Sequence, residues 1–216
     1  MTVRRLSLTD QVLATSQRAA QVLTGDMSSG RANPAADLPD DEQTFLSGAE
    51  RRLAGGLMRV NHVGEICAQA LYEGQGLTAR NPAIREEIRQ AAHEEKDHLA
   101  WTAQRLTELG ATPSLLNPLW YGASFAMGLL AGRAGDRISM GFMAETERQV
   151  EEHLNTHLQQ LPPGDQRSRA IVAKMKQDEA QHAATARRMG GSPLPAPARF
   201  MMRAVARVMT RTARYL

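Results

Sequence analysis

The chain is poor in the residues from which sheets and covalent staples are made. A single cysteine, Cys67, stands in 216 residues, which excludes an intrachain disulfide and a cysteine-built zinc site; its plainest reading is a small buried side chain. Two Trp, three Tyr and four Phe leave few aromatic strand-formers, and no alternating run bounded by hairpin turns offers itself as a strand. No Gly-x-Gly-x-x-Gly follows a strand-like segment, so a stably bound dinucleotide is not expected. No sustained apolar run follows Met1–Leu6, so no signal peptide is expected. A formal net charge of +3 is modest, and nothing resembles a nucleic-acid-binding motif. What is abundant is Ala, Leu, Arg, Glu and Gln, a composition that favours helix and, at this length, one domain with a substantial core.

Two Glu-x-x-His pairs stand out, Glu95-Lys96-Asp97-His98 and Glu179-Ala180-Gln181-His182. Each follows an earlier glutamate at nearly the same interval: Glu65 lies 30 positions before Glu95, and Glu147 lies 32 before Glu179. A helix, a turn and a returning helix occupy about that length. Positions i and i+3 share one helical face, so each Glu/His pair can reach the same metal or adjacent ones. Four glutamates and two histidines facing one bundle core form the ligand set of a di-iron or di-manganese carboxylate site. Oxygen donors with one imidazole per metal favour Fe or Mn over Mg or Ca. Charge agrees: four buried carboxylates repel one another unless compensated, and two divalent cations supply +4 against −4.

The apolar stripes test whether these residues face inward. One runs Val172, Met175, Glu179, His182, Ala186, Met189, another Met140, Met143, Glu147, Val150, Leu154. Glu95 and His98 share a face with Ile88, Ala91 and Thr102, and Glu65 lies with Met58, Ala68 and Tyr72. Glu94, Asp97, Glu151 and Glu152 fall off these faces. Glu145 is expected in solvent, His93 and His157 on the surface, and His62 and His153 away from the ligand stripes.

The expected architecture is all-α: a ferritin-like four-helix bundle with an apolar crossover helix and an extra basic amphipathic C-terminal helix. Residues 1–47 form an N-terminal arm, a short helix to about residue 24 and then a flexible linker rich in Gly, Ser, Asn and Pro. The main domain occupies 48–216. Its bundle helices are expected over about 47–80 (with a break near Gly55-Gly56), 82–109, 136–161 and 165–189. The segment 115–132 carries no charge between Glu108 and Arg133 and reads as the crossover, with partial membrane insertion as an added role. It is short for a membrane span and is broken by Asn117-Pro118 and Gly122. Over 198–216, Arg199, Arg203, Arg207, Arg211 and Arg214 lie opposite Met202, Val205, Val208, Met209 and Leu216. Such a helix suits an anionic membrane surface or packing on the bundle equally well.

Asn61-His62-Val63-Gly64-Glu65, Glu95-Lys96-Asp97-His98-Leu99, the Glu147 helix with His153, and Asp178-Glu179-x-x-His182 together resemble the demethoxyubiquinone hydroxylases of ubiquinone biosynthesis. The resemblance covers about residues 48–216. It implies a flavin-independent, non-haem di-iron monooxygenase that hydroxylates the ring of a polyprenyl benzoquinone or quinol with O₂. Carried over by position, the ligands of two Fe ions are Glu65, Glu95, His98, Glu147, Glu179 and His182, with Glu95 and Glu147 as the bridging pair. It also implies NADH as an external reductant and peripheral attachment to the inner membrane, on the cytoplasmic side for a bacterial chain. A ubiquinone-biosynthesis complex is an implied partner, and a homo-oligomer is compatible with it. His153 matches a family histidine, and Tyr72 is a candidate for packing beside the metals. After His153 stands Leu154, where relatives can carry tyrosine, so no redox aromatic occupies that position. The competing readings are iron storage or ferroxidation, hydroxylation of another substrate such as tRNA, and a non-catalytic scaffold in the quinone pathway.

Overall fold

The computed structural model describes residues 7–25, 28–39 and 46–216; the first residues of the N-terminal arm and parts of the expected linker lie outside them. Seven helices and no strand occur among the described residues: α1 Leu8–Thr24, α2 Gly48–Thr78, α3 Pro82–Glu108, α4 Asn117–Arg133, α5 Asp136–Gln160, α6 Gln166–Arg188 and α7 Ala196–Ala213. Short connections fold α2 against α3 and α5 against α6, α4 crosses between the two pairs, and α7 lies across α2 and α5. This is a ferritin-like bundle with an added C-terminal helix.

Local sequence sets the helix ends. Ser47 and Glu50 form a reciprocal capping box at the start of α2, Asn81 caps α3 ahead of Pro82, and the Asp165 carboxylate caps α6 by accepting from the Ser168 amide; each satisfies amides that the first turn leaves free. The expected break at Gly55-Gly56 is absent, because α2 runs through it. Those glycines serve close approach instead: a Cβ on Gly55 would lie 3.0 Å from the Ala111 side chain, and one on Gly56 would lie 3.3 Å from the Arg214 carbonyl oxygen. Helices α2 and α4 approach more closely still, and a Cβ on Gly128 would sit 2.1 Å from the Leu71 carbonyl oxygen.

Two apolar layers make the core. One contains Leu57, Met58, Trp101, Leu106, Leu154, Ile171, Val172 and Met175; the other contains Leu71, Tyr72, Ile88, Met140, Met143 and Ala186. On each bundle helix the expected ligand positions fall between the residues of these two layers, so apolar side chains seal the acidic layer from water above and below. Tyr72 belongs to the second layer, and its hydroxyl has no hydrogen-bond partner. The N-terminal arm is more tightly held than its composition predicts. Arg18 of α1 pairs with Glu73 at 2.5 Å, Ala35 is fully buried, and residues 29–31 surround Asp97.

Candidate metal centre

Two overlapping sets of donor atoms lie at the middle of the bundle. Glu65, Glu95, His98 and Glu179 offer one ligand atom each within 4.8 Å of one another, and Glu95, Glu147, Glu179 and His182 do the same. All six expected residues therefore converge, and all are buried. Glu95 and Glu179 belong to both sets, whereas Glu147 belongs to one. Which carboxylate lies midway depends on how the two Glu-x-x-His helices, α3 and α6, face each other, and spacing within one helix does not contain that.

The site fits cations. Glu95 Oε1, Glu147 Oε1, Glu179 Oε2 and His182 Nδ1 are enclosed and lack hydrogen-bond partners, a cost of about 1–3 kcal/mol per group when nothing else binds it. His182 Nδ1 lies 3.1 Å from Glu95 Oε1 without the alignment of a hydrogen bond. Hard carboxylate oxygens joined by one imidazole per set suit two divalent ions of the Fe or Mn kind.

The ionisation of the six groups follows from burial and mutual charge. Burial, reinforced by the charge of Glu95, pushes the Glu65 carboxyl well above its ordinary value. Burial and the neighbouring Glu179 do the same to Glu147. Burial also opposes the ionisation of Glu95, but the charge on His98 and the close approach of the His182 ring hold it well below. Glu179 is likewise lowered against burial and the charge of Glu95, chiefly through His182 and His98. Burial works against a charge on either imidazole, yet Glu95 and Asp178 raise His98 strongly, and Glu179 and Glu95 push His182 up to about 12. Without metal, Glu95 and Glu179 are thus held toward the charged carboxylate, Glu65 and Glu147 toward the neutral acid, and both imidazoles toward the protonated form.

A further pair of carboxylates holds the outer nitrogens of the imidazoles. His98 Nε2 donates to Asp178 Oδ2 at 3.1 Å, and His182 Nε2 donates to Glu94 Oε2 at 3.0 Å. Each acid immediately precedes the ligand glutamate of the opposite motif, and the arrangement fixes each ring's orientation and tautomer. Periodicity alone misses both, since neither lies on a ligand stripe.

Two surface expectations, for His157 and Glu145, are corrected. His157 is buried, its Nδ1 donating to Asn61 Oδ1 at 2.7 Å, and its ring packs at a tilt of 59° against His153 with centroids 3.9 Å apart. Burial, aided by His153, pushes it down to about 3. Its position was legible: Glu147, Val150, Leu154 and His157 continue one stripe in steps of three and four. Glu145 is buried because Arg148 and Gln149 of its own helix close over it and Arg203 of α7 lies 4.0 Å away. Asp97 is buried against the N-terminal arm. His93 is exposed, as expected. His62 is buried and pushed down to about 4 by burial, and it is outside both donor sets.

A cavity of about 400 Å³ reaches the acidic layer. Glu65, Glu147 and Glu179 line its inner end, Cys67, Leu71, Trp120, Met127 and Phe142 its walls, and the exposed Arg203 and Arg207 its mouth. His153 also lines it, with Nε2 lacking a partner and a pKa lowered by burial, so the ring is neutral at pH 7. Burial pushes the Cys67 thiol up to about 11, so it remains a thiol. Beside the mouth, α7 encloses Ala213 fully and leaves Phe200, Met201, Val205 and Val208 exposed, with Leu119 and Leu130 exposed on α4. No helix among the described residues is long and apolar enough to cross a membrane.

Residues 52–213 match the family model described as ubiquinone biosynthesis protein COQ7. A Cupriavidus taiwanensis protein named 3-demethoxyubiquinol 3-hydroxylase is 60% identical over 196 residues, covering 90% of this chain and 94% of that protein. A Bordetella parapertussis protein of the same name is 58% identical over 215 residues, covering 99% of this chain and 95% of its own length. One from Polaromonas is 62% identical over 175 residues, with 81% and 84% covered. With its double Glu/His set on a ferritin-like bundle, the chain belongs to the COQ7 family of ubiquinone biosynthesis proteins.

Proposed function

We propose that this chain is a 3-demethoxyubiquinol 3-hydroxylase that works through a pair of iron ions. Glu65 and His98 would hold one ion, Glu147 and His182 the other, with Glu95 and Glu179 between them. The observation that carries the reading is the apolar cavity that ends on three glutamates of a buried double donor set. A quinol ring is flat, apolar and narrowly polar at its hydroxyls, and a pocket with those properties receives it.

Bound in this set, two iron ions supply O₂ activation and two electrons at one place. With two electrons and two protons supplied, such a pair would let one oxygen atom enter the ring as a hydroxyl and the other leave as water. The two electrons are replaced by an external reductant, for which NADH meeting the surface transiently is the candidate. The chain does the rest. Leu71, Met127 and Phe142 hold the ring and exclude water, so charge at the carboxylates is felt undiluted. His153 Nε2, neutral and unpartnered, can accept a hydrogen bond or a proton from a quinol hydroxyl. Its ring is held by the His157 ring, which the Asn61 hydrogen bond fixes in turn. The mouth between α4 and α7 directs the polyprenyl tail toward the exposed apolar residues and arginines of α7, which suit the headgroup layer of an anionic membrane. These exposed apolar residues and arginines support peripheral attachment to the membrane that supplies the substrate.

A single-turnover assay tests the function. The iron-loaded protein is reduced anaerobically and given demethoxyubiquinol in detergent; labelled O₂ is admitted and product mass is read. One labelled oxygen per product is expected, lost in Glu147→Ala. Iron oxidation in a protein holding two irons, with unaltered quinol, would instead indicate a ferroxidase or a different substrate.

A further inference from the structure

Asp178 and Glu94 hold the outer nitrogens of the two site histidines, but their own surroundings differ. Asp178 is buried. Its Oδ2 accepts from His98 and also from Arg31 Nη1 at 2.8 Å, while Oδ1 accepts from Lys174 Nζ at 2.7 Å. Glu94 is partly exposed, and its second oxygen meets the Gln90 amide at 3.4 Å. One histidine is therefore backed by a clamped carboxylate and the other by a solvated one.

The clamp comes from the N-terminal arm, outside the residues matched by the family model. Arg31 Nε donates to Asp97 Oδ2. The Gly30 amide donates to Asp97 Oδ1 at 2.7 Å and the Ser29 hydroxyl at 3.1 Å. The Arg31 guanidinium stands 5.0 Å over the Trp101 ring, and the Trp101 indole N–H donates to Ser29 Oγ at 3.1 Å. A planar guanidinium that reaches two carboxylates on different helices while lying on an aromatic face fixes direction as well as charge. Asp97 belongs to α3 and Asp178 to α6, so Arg31 ties together the two Glu-x-x-His helices from outside the bundle.

We infer that Arg31 is a positioning residue for the metal pair: by holding Asp178 it fixes His98 and makes the His98 position the slower of the two to lose its ion. The inference rests on the metal reading above. Loss of an outer-layer partner of a ligating histidine weakens metal binding by about 10–100-fold, and here the loss falls on one position.

The test is metal release. The full-length protein is loaded anaerobically with two equivalents of Fe²⁺ and challenged with an excess of a coloured ferrous chelator. The wild type is expected to release iron in two phases. Arg31→Ala is expected to speed the slow phase about 10–100-fold and leave the fast one unchanged. Arg31→Lys keeps the charge and the fold but cannot span both carboxylates, and falls between the two. Asn33→Ala breaks the arm's bond to Gln104 without touching Asp178, and is expected to release iron as the wild type does. Wild-type phases in both Arg31 variants, equal acceleration of both phases, or an Asn33→Ala effect as large as that of Arg31→Ala would each overturn the inference. A wild-type protein that takes up no ferrous iron would overturn the metal reading and this inference with it, whereas two bound irons unaffected by Arg31 would remove this inference alone.

Discussion

Loading the site with metal should expel about four protons, because the two imidazoliums and the two neutral acids must all become ligands. The count comes from the environment of each group. His98 and His182 are raised above their ordinary values, so both carry a proton at pH 7 that competes directly with a metal. Glu65 and Glu147 are raised by burial and by neighbouring carboxylates, so they too enter the exchange protonated. Glu95 and Glu179 are held low and contribute none. Two M²⁺ then replace four H⁺, and the buried layer stays neutral throughout. The sign is that affinity rises with pH. At about 1.36 kcal/mol per proton and pH unit, the summed binding free energy of the pair should change by about 5 kcal/mol per unit near neutrality. Calorimetric titration with Mn²⁺, which avoids oxidation, in buffers of different ionisation enthalpy at one pH gives the proton count directly. A release of fewer than about two protons for two bound ions would refute the balance of acids and imidazoliums argued above.

Two predictions concern the frame. Arg105 is wholly buried and donates to Asp165 at 2.9 Å, to Ser168 at 2.8 Å and to Glu108 at 2.9 Å. Asp165→Ala removes that partner and the cap of α6 together, and with Glu108 remaining it should cost about 3 kcal/mol. That lowers Tm by about 6–12 °C; Asp165→Asn should recover the capping share alone, and a fall under about 2 °C for the alanine variant would contradict the buried pair. Gly128→Ala places a methyl 2.1 Å from the Leu71 carbonyl oxygen, where backbone faces backbone. The helices must part, at about 1–3 kcal/mol, and because Leu71 lines the cavity the variant should also show a raised KM for the quinol. Unchanged melting and kinetics would mean that α2 and α4 are not in contact there.

The bundle and its six inward donors were legible because both depend on periodicity within single helices. Glu147 and His182 lie on stripes of three and four, and the glycine and proline punctuation bounds α3, α5 and α6 to within a residue or two of the observed ends. What periodicity does not hold is the relation between helices. The sharing of a carboxylate between donor sets is such a relation, and Glu179, not Glu147, joins Glu95 in both. The outer carboxylates Asp178 and Glu94 act across the bundle on a histidine of the other half. Arg31 lies farther still from its targets, 66 residues before Asp97 and 147 before Asp178, in a stretch whose polar composition reads as linker. His157 differs, since it continues a stripe already identified through Leu154, and treating a histidine as surface by default hid it. Gly55-Gly56 misleads in the opposite way: low helix propensity predicts a break, and tertiary contact overrides it.

The reciprocal hold on the two imidazoles makes the halves of the bundle interdependent. Helix α3 carries His98 but relies on Asp178 of α6 to orient it, and α6 carries His182 but relies on Glu94 of α3. Neither hairpin is a finished half-site that could take up an ion and wait for the other. A change in one motif is therefore read out first in the ligand of the opposite motif, and substitutions at Asp178 and His98 should act as one lesion rather than as two. The two halves resemble each other, yet they work as a single crossed unit: separated at the connection between α3 and α4, each would keep its glutamate and histidine and lose the partner that aims them.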